Sequence, residues 1–94
     1  MFTNERYLTC GIDSTIPLAL QLFMWECVER LPEQRDYLQV FELKASGPMQ
    51  SISHRSEDPE HHMEYMIPCD EPITAKVFII DDGDHSTMLL AEEY

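Results

Sequence analysis

The pattern of apolar and polar positions predicts one amphipathic helix in the first third of the chain. At 100° per residue, the segment Ile16–Leu31 gathers an apolar stripe on one face, as expected for a helix that covers a sheet. Asp13–Thr15 offers side-chain oxygens for an N-cap, Pro17 suits the first turn, and Pro32 ends the helix. The stripe consists of Ile16, Leu20, Phe23, Met24, Cys27 and Leu31.

Six short segments rich in β-branched, aromatic and other apolar residues predict strands. The connections between the last five are mostly short turns, which favours antiparallel neighbours. Asp81–Asp84 contains an Asp-Gly pair and predicts a hairpin turn. Tyr37–Leu43 and Thr74–Ile80 are apolar on both sides, so we place them at the centre of the sheet. The predicted strands are Arg6–Cys10, Tyr37–Leu43, Met49–His54, His62–Ile67, Thr74–Ile80 and Thr87–Ala91.

These elements predict an α+β fold with one main helix packed on a mostly antiparallel, curved sheet of about six strands. The length of 94 residues suits a single hydrophobic core, so we expect one domain spanning residues 1–94. One helix cannot cover both faces of such a sheet. Either the sheet curls around the helix, or its second face packs against another molecule.

A second apolar stripe runs along the predicted helix and consists of Leu18, Leu22 and Trp25. Two interpretations stay open. A helix that is apolar all round is normally buried, which would place all three in the core. Alternatively, the stripe is an exposed anchor for a protein partner or for a second copy of the chain, since Trp is a favoured hot-spot residue.

The chain has 18 acidic and 6 basic residues and a formal net charge of −12. This charge argues against direct binding to nucleic acid or to an anionic membrane, because both require Lys and Arg. The imbalance lies in residues 57–94, where Lys76 is the only basic residue. We consider two roles for an acidic surface there: a solvated face, or a mimic of the DNA phosphates. Its candidate residues are Asp81, Asp82, Asp84, Glu92 and Glu93.

Candidate catalytic and metal-binding chemistry is sparse. The acidic turn Asp81–Asp84 and His85 could bind a divalent metal as part of a hydrolase, but it lacks EF-hand spacing. His61 and His62 are adjacent and would point to opposite sides of a strand, and no Cys-x-x-Cys pair is present. We therefore predict no catalytic residues, no metal site and no cofactor.

Compartment signals favour the cytoplasm. Met1–Tyr7 lacks the apolar stretch of a signal peptide. The three cysteines, Cys10, Cys27 and Cys69, fit no disulfide framework, as expected for a reducing interior. We expect no membrane partner.

The chain resembles a family of short proteins from low-GC Gram-positive bacteria. The residues that carry the resemblance are Tyr7–Asp13, Pro17, Trp25, Asp36–Leu43, His54-Arg55, Pro59-Glu60 and Val77–Tyr94. This family is the domain-of-unknown-function family 960. The resemblance covers essentially the whole chain, and the last eighteen residues are its most specific part. It implies no catalytic residues. It implies that relatives are encoded partly on mobile elements beside a DNA-mimicking inhibitor family, a context that favours the DNA-mimic interpretation.

We predict a small, cytoplasmic, non-enzymatic protein that binds or regulates a partner through the helix face around Trp25. The alternatives are an acidic DNA mimic that inhibits a nucleic-acid enzyme, and a metal-dependent hydrolase that uses the turn from Asp81 to His85.

Overall fold

The computed structural model describes residues 5–32 and 35–94. The expectation about a signal peptide falls partly on residues 1–4, which lie outside the described residues. Helices and strands follow in the order β1 (Glu5–Leu8), α1 (Cys10–Thr15), α2 (Leu18–Glu29), β2 (Leu38–Ser46), β3 (Met49–Glu57), β4 (Glu60–Pro68), β5 (Ala75–Asp81) and β6 (His85–Leu90), with a 3₁₀ turn at Ala91–Glu93. This composition confirms the predicted α+β class.

The six strands form one open sheet in the order β1-β6-β5-β2-β3-β4. Strands β2 to β6 pair antiparallel along the sheet, because tight connections join β2 to β3, β3 to β4 and β5 to β6. β1 is the exception and runs parallel to β6, with Tyr7 opposite Thr87. The prediction of a mostly antiparallel sheet is confirmed, and so are the central positions of β2 and β5.

The helical region differs from the single helix predicted over Ile16–Leu31. It consists of two helices, α1 and α2, separated at Ile16, whose backbone is extended with φ −103° and ψ 119°. The cause is Pro17, because a proline disfavours helical geometry in the residue before it. The predicted N-cap residues Asp13–Thr15 therefore lie inside α1. Thr9 caps α1 by accepting a 3.3 Å hydrogen bond from the N–H of Ile12 at its Oγ1.

The predicted apolar stripe of α2 does cover the sheet. Leu20, Met24 and Cys27 are buried, as is Ile16 between the helices, while Phe23 packs half-buried against the same core. The residues of the sheet that meet them alternate along each strand, as a half-covered sheet requires. On the central strands these are Phe41, Leu43, Ile52, Val77, Ile79 and Met88.

The second face of the sheet carries an apolar row from β2 to β6. Val40 lies opposite Phe78, and Phe78 lies opposite Leu89. The ring of Tyr94 meets the Phe78 ring edge-on at 5.7 Å and shields part of this row. Among the described helices, none is long and apolar enough to span a membrane.

Candidate functional site

The three residues of the second helical stripe differ in their exposure to solvent. Leu18 and Leu22 are 66% and 59% exposed on α2, whereas Trp25 is only 6% exposed. Trp25 is buried because β1 lies beside this part of the helix and places the Arg6 guanidinium over the indole, 4.7 Å from the ring centre. Arg6 also forms an ion pair with Glu29, one turn further along α2. The expectation that Trp25 forms an exposed anchor is therefore wrong, while Leu18 and Leu22 are exposed.

Leu18 lines a groove between the end of β1 and the junction of the two helices. The groove has a volume of about 520 Å³, and Leu8, Ile16 and Pro17 form much of its apolar wall. Leu8 is itself 42% exposed, so the apolar surface continues from α2 onto β1. The sequence pattern could not reveal this continuity, because it does not show which strand lies beside α2.

The side chain of Gln21 fixes the helix junction that shapes the groove. Its Nε2 donates a 2.8 Å hydrogen bond to the backbone oxygen of Ile16, and Gln21 is buried. The Ile16 N–H in turn donates to Ile12 O at 2.9 Å, which closes the last turn of α1. These two bonds hold the junction between the helices in the geometry that shapes the groove. Asp13 and Thr15 complete its polar rim.

β1 forms one end of the sheet. Across residues 5–32 and 35–94, the only strand that pairs with it is β6. All four residues of β1 are exposed. The outer side of β1 thus presents backbone N–H and C=O groups to which an extended segment of another chain could pair.

The acidic hairpin between β5 and β6 matches the interpretation of a solvated turn. Asp81 accepts a 2.8 Å hydrogen bond from the N–H of Gly83 at its Oδ1, and Gly83 has a φ of +96° that suits glycine. Asp82 lies 3.3 Å from the imidazole of His85. Asp84 is exposed. Within the described part of the chain, no three His, Cys, Asp or Glu side chains cluster closely enough to hold a metal ion.

The other two acidic candidates, Glu92 and Glu93, lie at the opposite end of β6 from this hairpin. Glu93 is exposed, but its Oε1 is already engaged within the molecule, because it accepts hydrogen bonds from the Thr9 hydroxyl at 2.6 Å and from the Leu90 N–H at 2.9 Å. The bonds from Thr9 and Leu90, together with the N–H of Gly11, lower the pKa of Glu93. Glu93 is therefore a structural clamp between the end of the chain and α1.

One buried imidazole, that of His54, lies on the face of β3 that meets the core. His54 is fully buried, stacks on the Phe41 ring at 4.3 Å, and shares a 2.7 Å hydrogen bond through Nε2 with Gln39. His61 meets the His54 ring edge-on at 4.7 Å. Burial, and then the nearby His61, lower the pKa of His54 to about 4. The alternation of β3 is the signal that could have found it, since Gln50, Ile52 and His54 share one face.

The three cysteines lie apart and unpaired. Cys27 is buried, as its place on the helix stripe predicts, and burial raises the pKa of its thiol. Cys10 is exposed at the start of α1, and Cys69 is partly exposed after β4.

The fold and the groove define a small α+β protein with a one-sided helical layer and an exposed apolar surface at one sheet edge. Residues 5–93 match the family described as "Staphylococcal protein of unknown function (DUF960)". The chain belongs to this family, which confirms the resemblance noted from the sequence. No curated protein matches the chain significantly.

A solved structure supports the fold independently. The crystal structure of a protein of unknown function from Enterococcus faecalis matches with a TM-score of 0.81 and 22% sequence identity. The match covers 97% of this chain and 91% of the other. At this identity the similarity establishes the shared fold alone.

Proposed function

We propose that the chain is a non-enzymatic protein-binding module that holds an extended segment of a partner along β1 and the neighbouring side of α2. One observation carries the proposal: Leu18 and Leu22 are exposed one helical turn apart on α2, and Leu18 lines the groove together with Leu8 on the sheet edge. Exposed apolar side chains scattered singly need no explanation, but a continuous surface beside a preformed groove is typical of a binding site.

The geometry favours strand addition. A segment that pairs with the outer side of β1 would extend the sheet by a seventh strand through backbone hydrogen bonds. Its alternate side chains would lie on the helix side of the sheet, where Leu8 lines the groove. Affinity would come from the backbone bonds, and specificity from an apolar side chain that enters the groove.

The charge of the site further restricts the kind of segment that could bind. Glu5 lies on β1 and Asp13 at the rim of the groove, in a chain whose net charge is −12. A segment that combines an apolar side chain with neighbouring Lys or Arg would complement this site. The same charge makes direct binding to phosphate unfavourable, so we propose a protein partner.

The DNA-mimic alternative receives less support from the geometry. Its candidate residues are divided between the hairpin after β5 and the 3₁₀ turn after β6, and Glu93 is occupied by internal hydrogen bonds. A mimic needs carboxylates that repeat along one surface and are free to meet the cations of a partner. The metal-dependent hydrolase alternative lacks a cluster of ligands in the residues that the structure describes.

The test is capture of partners from an extract of the native host on immobilised protein, identified by mass spectrometry. Three forms are compared: wild type, Leu18→Asp/Leu22→Asp, and the control Tyr37→Asp, which also introduces a carboxylate at an exposed apolar side chain but lies away from β1, α2 and β4. We expect wild type and control to retain a common protein that the Leu18→Asp/Leu22→Asp form loses. Equal retention by all three, or no retention by wild type, would contradict the proposal.

A further inference from the structure

The sheet edge formed by β4 is long and regular. In residues 5–32 and 35–94, β4 pairs with β3 alone, from Glu57 opposite Glu60 to Met49 opposite Pro68, without a break in register. The other side of β4 therefore offers nine residues of backbone as a template for a further strand. This edge lies at the opposite end of the sheet from β1.

The features that usually protect an exposed edge are weak in β4. The strand contains no lysine, and its one proline, Pro68, is its last residue. Met63 and Met66 are 46% and 55% exposed on opposite faces of the strand. Glu64 lies between them and would repel another carboxylate, so the choice of register decides whether a second strand can pair here.

We propose that two copies of the chain pair antiparallel through β4, about a two-fold axis at Met63. Both copies then keep their helices on the same side of one continuous sheet. His62 faces Glu64 of the partner subunit, and this pair occurs twice by symmetry. On the helix side, His61 faces Tyr65 of the partner subunit. An imidazole N–H opposite a carboxylate is a favourable cross-strand pair.

Charge selects this register among its neighbours. A two-fold axis at His62 would place Glu60 opposite Glu64, and an axis at Glu64 would place the two Glu64 side chains opposite each other. Both arrangements oppose like charges, which is destabilising. An axis at Tyr65 would pair Glu64 with Met66 and form no pair between a carboxylate and an imidazole, whereas the axis at Met63 places Glu60 opposite Met66 but forms two such pairs. With the axis at Met63, each Glu64 lies opposite the His62 imidazole of the other copy.

The association is expected to be weak and concentration-dependent, because one pair of strands buries less than a standard interface. It does not depend on the proposed function, which uses β1. The two ideas can therefore fail separately.

The experiment is analytical ultracentrifugation of wild type, His62→Glu, Glu64→Lys and an equimolar mixture of the two variants, up to about 1 mM chain. Asp84→Lys is the control, since it makes the same type of charge change on the exposed hairpin. Thermal unfolding of each form shows whether it is folded. We expect wild type and Asp84→Lys to dimerise with equal Kd.

His62→Glu places carboxylates opposite each other at both symmetric positions, so its Kd should rise by about tenfold or more. Glu64→Lys removes the carboxylate and should also weaken the dimer. In the mixed dimer, the introduced carboxylate faces the introduced lysine at one position, and the other position keeps the original pair of His62 and Glu64, so the heterodimer should be tighter than either variant homodimer. Three results would overturn the proposal: a wild type that is monomeric at about 1 mM, variants that dimerise as wild type does, or a mixture that gains nothing.

Discussion

The Glu93 carboxylate accepts a 2.6 Å hydrogen bond from the hydroxyl of Thr9, which lies 84 positions earlier in the chain. The same oxygen accepts the Leu90 N–H, so Glu93 joins the end of β6 to the N-cap of α1. The approach is close: a Cβ added at Gly11 would lie 2.7 Å from the carboxylate atoms of Glu93. The absence of a side chain at Gly11, in the first turn of α1, is what allows this clamp.

Gly11→Ala should therefore lower the free energy of unfolding, because the new methyl group displaces the Glu93 carboxylate from its hydrogen bonds. In a Glu93→Ala background the same substitution meets no carboxylate. There the higher helix propensity of alanine should dominate and stabilise by up to about 1 kcal/mol. Urea denaturation of the four forms in this double-mutant cycle measures both effects. Stabilisation by Gly11→Ala in the wild-type background would contradict the clamp.

Trp25 and Leu22 lie on the same stripe of α2 but should respond oppositely to truncation. Trp25→Ala removes a buried indole and should cost about 3–5 kcal/mol of the free energy of unfolding. Leu22→Ala shortens an exposed side chain and should change it by less than about 0.5 kcal/mol. Chemical denaturation checks both values. A Trp25→Ala variant as stable as Leu22→Ala would show that the indole is not buried.

Buried His54 should make the protein less stable in mild acid. Its pKa is about 4 in the folded chain and 6.5 in the unfolded chain, so the unfolded chain binds the proton first as pH falls. The contribution of His54 is complete above pH 6.5 and is lost progressively between 6.5 and 4. From pH 7 to pH 5 this loss amounts to about 2 kcal/mol.

His54→Gln removes the titrating group and keeps a polar side chain near Gln39. Urea denaturation of both forms at pH 7 and pH 5 isolates the contribution, because the other titrating groups are common to both. We expect wild type to lose about 2 kcal/mol more than His54→Gln. Equal losses would mean that His54 takes up its proton in the folded chain as readily as in the unfolded chain.

Asp36 should order the turn between β3 and β4. Its Oδ1 accepts the Leu38 N–H at 3.1 Å, and its Oδ2 accepts the N–H groups of Glu57 and Asp58 at 3.2 and 3.1 Å. Burial raises the pKa of Asp36, but these bonds outweigh it and lower the pKa overall. Asp36→Ala should cost about 1–2 kcal/mol and speed hydrogen exchange at Glu57 and Asp58. Asp84→Ala, on the exposed hairpin, is the control and should change neither quantity.

The sequence predicted the class of fold because its signals are local. Alternation located the strands, and Asp82-Gly83 located the hairpin that joins β5 to β6. The helix prediction missed α1, and it began the main helix at Ile16, where the apolar periodicity runs on but Pro17 extends the backbone. Apolar periodicity shows which residues share a face of a helix. It cannot reveal an interruption of the helix when the apolar residues before and after the interruption still face the same side.

The candidate site depended on long-range placement that no local pattern contains. Leu18, Leu22 and Trp25 share one stripe of α2, yet only Trp25 is covered, since β1 runs parallel to β6 and places Arg6 over it. Likewise, the Glu93 carboxylate is engaged in hydrogen bonds within the molecule because Thr9 lies beside it. In both cases a residue close in sequence to exposed neighbours is held by a segment far away along the chain.

Hydrogen–deuterium exchange on the protein bound to its captured partner tests the binding site most directly. We expect new protection at the backbone amides of β1 (Glu5–Leu8) and of Leu18–Leu22 in α2, while the hairpin at Asp82–Asp84 exchanges as in the free protein. Protection confined to the hairpin and the 3₁₀ turn, with β1 unchanged, would contradict the account and favour the acidic surface as the binding site.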